Sequence, residues 1–189
     1  PRHVSQSTQL AIRLALVALA TVLLQTAALS QLALFGATPD IVPLVVASTG
    51  LLCGSMTGAI MGFSVGLLVD VALLQTLGVS SLVCLVVGYY AGRIREIARD
   101  ADATPLPLLV GAAGTLAALT LFSLLQFLLG VEAPVSWKLV QQILSTVLIN
   151  ALLALPVHAA VRRALGTAAI DERRRPRRRR PGLSPLIQP

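Results

Sequence analysis

The sequence is poor in charged and aromatic residues, and it contains two cysteines. Of its 189 residues, 12% are charged and 4% are aromatic, whereas 56% are hydrophobic. Soluble domains average about 25% charged residues, so this composition excludes an ordinary soluble protein. Cys53 and Cys84 have no histidine or carboxylate at ligand spacing. We therefore interpret them as packing residues and predict neither a metal site nor a cofactor.

The apolar residues instead form long runs, which predict an all-α integral membrane protein. A spanning helix needs about 20 residues, and residues 1–165 have room for one domain of six such helices. As a single helix, the central tract 39–74 would be about 54 Å long, well beyond a hydrocarbon core of about 30 Å. We therefore expect it to break near Gly54-Ser55-Met56. The predicted spans are residues 10–34, 39–54, 57–74, 78–92, 104–129 and 137–161.

The distribution of arginine supports six spans. Three basic clusters begin at Arg2, Arg93 and Arg162, and the positive-inside rule places all three in the cytoplasm. Clusters on the same side must be separated by an even number of spans, and the predicted spans separate them by four and then by two. We therefore expect both termini to lie on the cytoplasmic side.

The carboxyl-terminal residues 166–189 are rich in arginine and proline and are predicted to be disordered in isolation. From Arg162 onward, the net charge is +7, equal to the formal charge of the whole protein. We expect this tail to lie on anionic lipid, with docking of a cytoplasmic protein as the alternative. It lacks interleaved aromatic residues, so nucleic acid is not an expected partner. The membrane-surface residues are Arg162, Arg163, Arg173, Arg174, Arg175, Arg177, Arg178, Arg179 and Arg180.

Glycine recurs every fourth residue in the central tract. Its positions are Gly50, Gly54, Gly58, Gly62 and Gly66, and Asp70 continues the series. On a helix, this spacing places small residues on one face and allows a second backbone to approach closely. We expect this glycine face to pack against another helix, either of the same chain or of a partner.

Asp70 lies inside an apolar span, which makes it a functional candidate by default. One interpretation is a structural ion pair with Lys138, the basic residue that the topology places on the outer side. The other is ion or proton coupling. Coupled transport normally uses several buried polar groups, and these spans contain few, so the structural role is favoured.

A serine hydrolase is a remote alternative. The segment Gly62-Phe63-Ser64-Val65-Gly66 matches the G-x-S-x-G pattern, and His158 lies in the last span. The hydrolase motif requires a sharp strand-to-helix turn, whereas this segment lies within an apolar helical run. Helix packing explains the two glycines better, so we predict that the chain is not an enzyme.

Several short segments, in order, resemble the bacterial rod shape-determining protein MreD family. The resemblance is dense over residues 39–95 and looser, in hydropathy and length, over about 10–165; the arginine tail lies outside it. The segments are Pro39-Asp40, Gly62-Phe63, Gly66-Leu67-Leu68-Val69-Asp70, Leu77-Gly78, Ser80-Ser81-Leu82 and Gly88-Tyr89-Tyr90-Ala91-Gly92-Arg93.

The resemblance implies a non-enzymatic scaffold or regulatory subunit of the bacterial cell-elongation complex, in the cytoplasmic membrane. Its expected partner is MreC and, indirectly, RodA, a class B penicillin-binding transpeptidase and MreB. The implied fold is similar to the substrate-binding subunit of energy-coupling-factor transporters. A small-molecule-binding subunit is therefore the main alternative, although an outward pocket here would be lined mainly by aliphatic side chains. The expected helix-packing or partner residues are Pro39, Asp40, Gly58, Gly62, Gly66, Asp70, Gly88 and Gly92.

Overall fold

The computed structural model describes residues 2–29, 40–97, 105–130 and 137–173, and the regular structure in these ranges is helical. The apolar composition of the chain and its long helices agree with an all-α membrane protein. The elements are α1 (Arg2–Leu24, continued by a π-helical segment, Gln25–Leu29), α2 (Val42–Cys53), α3 (Ser55–Ala72), α4 (Val79–Ile97), α5 (Pro105–Leu128) and α6 (Trp137–Arg173).

Four of the described helices are long and apolar enough to cross a membrane. These segments are Thr8–Ala27, Ser55–Ala72, Leu106–Leu128 and Val140–Gly166. Helix α2 has 12 residues and is about 18 Å long, shorter than a bilayer core of about 30 Å. The last turns of α4 contain the charged residues Arg93, Arg95 and Glu96, so the apolar part of this helix ends before Arg93 and is also short. Six spans therefore remain a prediction.

The central tract breaks at Gly54, as the sequence predicts. Gly54 has a φ of 97°, a left-handed conformation that glycine adopts without steric cost, and it is the single residue between α2 and α3. Every residue from Val42 to Leu52 is buried. The short helix α2 is therefore the centre of the bundle, and α3, α4, α5 and α6 pack around it.

The helices alternate in direction. The end of α1, the start of α2, the end of α3 and the start of α4 line one cavity, together with the second half of α5 and the first half of α6. We call this the cavity end. At the opposite end, Leu10 of α1 packs in one cluster with Leu52, Cys53 and Val161. This arginine end is defined by Arg13, Arg93, Arg95, Arg162 and Arg163.

Helix α6 continues beyond residue 166, where the sequence predicts that the disordered tail begins. Its backbone is non-helical at Gly166, which has a φ of 53°, and helical residues then follow to Arg173. The Nη1 atom of Arg13 donates a hydrogen bond to the carbonyl oxygen of Leu165 at 2.8 Å. This bond satisfies a carbonyl at the break and joins α6 to α1.

Candidate functional site

The glycine face of α3 packs against α4 of the same chain. A Cβ atom placed on Gly58 would collide with the Gly88 carbonyl, and one on Gly62 would collide with the Cys84 carbonyl. A Cβ atom on Gly66 would lie 2.5 Å from the Ser80 carbonyl oxygen. Real side-chain carbons do not approach so closely, so α3 and α4 are in direct backbone contact along this face.

Glycines of α4 and α2 complete the contact. A Cβ atom on Gly88 would meet the backbone of Gly58, and one on Gly92 would meet that of Ser55. A Cβ atom on Gly50 would lie 2.6 Å from the Gly88 carbonyl oxygen. The close approaches of this glycine face are therefore to helices of the same chain.

Asp70 joins the end of α3 to the start of α4. Its carboxylate is fully buried, and Oδ2 accepts a hydrogen bond from the Gly78 backbone amide at 2.7 Å. The Oδ1 atom has no hydrogen-bond partner among the described residues. The side chain of Lys138 lies outside the described residues, so the predicted ion pair remains a prediction.

Asp40 and the buried Asn150 form a polar contact between the start of α2 and the middle of α6. The Asn150 Nδ2 donates to the Asp40 carbonyl oxygen at 2.6 Å, and the Asp40 amide donates to Asn150 Oδ1 at 3.2 Å. Asn150 Nδ2 also lies 3.3 Å from the Thr115 hydroxyl of α5. The sequence does not single out Asn150; an asparagine inside a long apolar run is the signal that could have identified it. Pro39 lies outside the described residues.

The first backbone amides of α2 are satisfied by side chains. The Asp40 Oδ1 accepts from the Val42 amide at 3.1 Å, and the Gln25 Oε1 of α1 accepts from the Ile41 amide at 3.2 Å. The amides at a helix start have no partners within the helix, and lipid provides none. These bonds therefore fix the position of Asp40 through α1, α2 and α6.

A cavity of about 460 Å³ lies beside Asp40. Its lining is mostly apolar, with Phe122 as the aromatic side chain among the described lining residues. The lining is nevertheless more polar than the sequence suggested, because polar residues in or next to each of the six helices contribute to it. The polar lining residues are Gln25, Asp40, Gln75, Ser80, Ser123, Gln142 and Thr146.

A smaller polar cluster closes the arginine end. The Ser55 hydroxyl donates to Glu96 Oε1 at 2.6 Å, and Arg93 Nη1 lies 3.2 Å from Glu96 Oε2. Glu96 lies beyond residue 92, the predicted end of the span. The hydrogen bond from the Ser55 hydroxyl is the main cause that lowers the pKa of Glu96. Arg162 and Arg163 are exposed at this end. The other predicted membrane-surface arginines lie outside the residues whose side chains are described.

The hydrolase arrangement is not formed by Ser64 and His158. Ser64 lies on the exposed face of α3, where its hydroxyl donates to the Ile60 carbonyl at 2.9 Å. His158 is buried in α6, and α3 makes no extensive contact with α6 in the described parts of the chain. Among these residues there is also no cluster of histidine, cysteine and carboxylate groups that could hold a metal ion.

The outer surface of the bundle is apolar. One stripe along α3 exposes large side chains at helical spacing; it comprises Met56, Ile60, Phe63, Leu67 and Val71. In water, so much exposed apolar surface would be unfavourable, whereas lipid or the apolar helix of a partner can cover it. The fold and these surfaces define a polytopic helical membrane protein with a glycine-packed core and a cavity beside Asp40.

The chain matches the rod shape-determining protein MreD family over residues 6–165 and belongs to this family. It therefore has a role in the determination of rod shape. No curated protein and no solved structure matches it.

Proposed function

We propose that the chain is a non-enzymatic scaffold or regulatory subunit of the bacterial cell-elongation complex, which synthesises peptidoglycan. It acts by helix packing with MreC, and through MreC it contacts RodA, a class B penicillin-binding transpeptidase and MreB. Membership of the MreD family over most of the chain carries this proposal. Scaffolding needs a stable body with a free surface, and the internal glycine contact leaves the outer helix faces available.

The exposed stripe of α3 is the surface we assign to the membrane anchor of MreC. Its members Met56, Ile60, Phe63, Leu67 and Val71 follow spacings of three and four residues, as one side of a helix–helix contact requires. The glycine face, which the sequence offered for the same role, is already covered by α4. Partner binding therefore requires no opening of the bundle.

The proposed topology has six spans in the bacterial cytoplasmic membrane, with both termini in the cytoplasm. The described arginines of all three basic clusters lie at one end, which supports this orientation by the positive-inside rule. The arginine tail then lies on anionic lipid, at about 1 kcal/mol per basic residue near the surface. The cavity end faces the periplasm.

A small-molecule-binding subunit of an energy-coupling-factor-type transporter is the second candidate. The observation that favours it is the cavity of about 460 Å³, which is within the usual range of about 300–1,000 Å³ for ligand sites. Its lining carries amide, hydroxyl and carboxylate groups, although Phe122 is its one aromatic among the described residues.

Purification of the tagged full chain from its native membrane in mild detergent, followed by mass spectrometry, separates the two candidates. We expect to recover a periplasmic protein with one membrane anchor, together with cell-wall synthases. Recovery of an ATPase module without any cell-wall protein would reject the scaffold. Phe63→Ser in the stripe should reduce partner recovery, whereas Leu148→Ser, an exposed leucine of α6, serves as the matched control.

A further inference from the structure

The cavity has one charged side chain among its described lining residues, Asp40, and this residue is held in place by several hydrogen bonds. Asn150 bonds both backbone groups of Asp40, and the Val42 amide bonds its carboxylate. Asn150 is fully buried, so the network is part of the bundle core and not an arrangement of the surface.

The described lining has no lysine, arginine or histidine. An anionic ligand would therefore meet a like charge and no compensating one. A divalent metal ion would find one carboxylate, whereas such ions use several oxygen ligands at short distances. A quaternary ammonium ion is normally held in a cage of several aromatic rings, and here Phe122 stands alone.

We propose that this cavity binds a small organic cation: a primary ammonium group on a short aliphatic chain. The Asp40 carboxylate is its counter-ion, and Ser80 and Thr146, which line the same cavity, offer hydroxyl acceptors for the remaining N–H groups. The apolar remainder of the lining, including Val42, covers the aliphatic chain. This inference goes beyond the scaffold proposed above and does not require that the ligand be transported.

Lys138 is the chain's own source of the same chemical group. It lies one helical turn before Gln142, a lining residue of α6, and its side chain is outside the described residues. The experiment therefore has to distinguish an external amine from this lysine.

Isothermal titration of the full chain in phosphatidylcholine nanodiscs, with empty nanodiscs as the blank, provides the test. The probes are hexylamine, hexan-1-ol and hexanoate, which share a six-carbon chain and differ in charge. We expect saturable binding of hexylamine alone. The chain is titrated without any partner protein, so the result is independent of the co-purification that tests the scaffold.

Two variants locate the site. Asp40→Asn keeps the side-chain oxygen that accepts from the Val42 amide, and it should weaken hexylamine binding about tenfold or more. Ser123→Phe fills the cavity and should abolish binding. Glu96→Gln is the control. It removes a carboxylate at the arginine end, at the opposite end of the bundle from the cavity, and should leave the affinity for hexylamine unchanged. Each variant is first required to unfold at the wild-type temperature; if Ser123→Phe fails this check, Ser123→Leu replaces it.

Three results would overturn the proposal. Equal affinity for hexan-1-ol would show that the cavity selects apolar volume and not charge. Unchanged hexylamine affinity in Asp40→Asn would remove the counter-ion. Binding that occurs only in a Lys138→Met variant would show that the chain's own lysine occupies the cavity.

Discussion

Two helix pairs of this bundle approach each other in different ways. Helices α3 and α4 are in backbone contact over several turns, from Gly92 at the arginine end, through Gly88, to Ser80 toward the cavity end. Helices α5 and α6 also meet closely, where a Cβ atom on Gly111 would lie 2.7 Å from the Ala154 Cβ. Beyond the bond between Thr115 and Asn150, however, side chains of both helices line the cavity.

The difference follows from how often glycine recurs. On α3, three glycines at a spacing of four residues keep the second helix close over several turns. On α5, Gly111 and Gly114 are confined to the first half, and the second half has the larger residues Leu119 and Phe122. Packing between such helices depends on side chains and leaves space. The tight pair therefore leaves no room between its two backbones at these positions, whereas the looser pair contributes side chains of both helices to the cavity lining.

The largest expected effect comes from breaking the tight pair. Gly62→Leu places a side chain where the Cys84 carbonyl lies, so the helices must separate. We expect a loss of about 3 kcal/mol or more in the free energy of unfolding, with Gly62→Ala nearer to 1–3 kcal/mol, about the usual cost of overpacking. The measurement is reversible unfolding in mixed detergent micelles.

Ser64→Leu is the matched control for that substitution. It adds a leucine to the same helix on its exposed face, two residues away, and should be nearly neutral. A Gly62→Leu protein that unfolds like the wild type and still recovers its partner would contradict the tight contact.

The polar contact between Asn150, on α6 of the looser pair, and the start of α2 is expected to contribute less. Asn150→Leu removes both bonds to the Asp40 backbone and leaves a buried amide and carbonyl without a partner, at a cost of about 2 kcal/mol. Gln141→Leu, the same type of change at an exposed position of α6, is the control. The same unfolding measurement applies, and equal losses in the two variants would argue against a specific role for Asn150.

The smallest effect concerns the turn that ends the tight pair. Asp70→Ala removes the acceptor of the Gly78 amide and should cost about 1.5 kcal/mol, whereas Asp70→Asn keeps an acceptor oxygen and should cost less. Unfolding of both variants in the Lys138→Met background separates the turn from the ion pair. If Lys138→Met abolishes the effect of Asp70→Ala, the lysine and not the Gly78 amide is the important partner.

Much of the fold could be predicted from local sequence. Long apolar runs indicated membrane helices, and the length of the central tract indicated a break near Gly54, where the structure has it. The spans of α2 and α4 were harder to predict. Helix α2 is short and its residues from Val42 to Leu52 are buried by protein. Its apolar composition is therefore what a protein interior requires, and composition alone does not distinguish that from a membrane span.

The candidate site was less accessible to such reasoning. The glycine spacing identified a packing face, but it could not say which helix covers it. Asn150 and Asp40 lie 110 residues apart, and neither has a local pattern that names the other. The cavity likewise depends on polar residues from six elements, each of which is unremarkable in its own helix.

By itself, the sequence determined the helical membrane class, the break in the central tract and the existence of a close-packing face. These properties are local, because hydropathy sums over about 20 residues and glycine acts where it stands. The tertiary structure alone decided that α4 covers the glycines, that Asn150 holds Asp40 and that residues from all parts of the bundle line one cavity. Those outcomes depend on how six helices pack around α2, and contacts between distant residues exist only once that packing is formed.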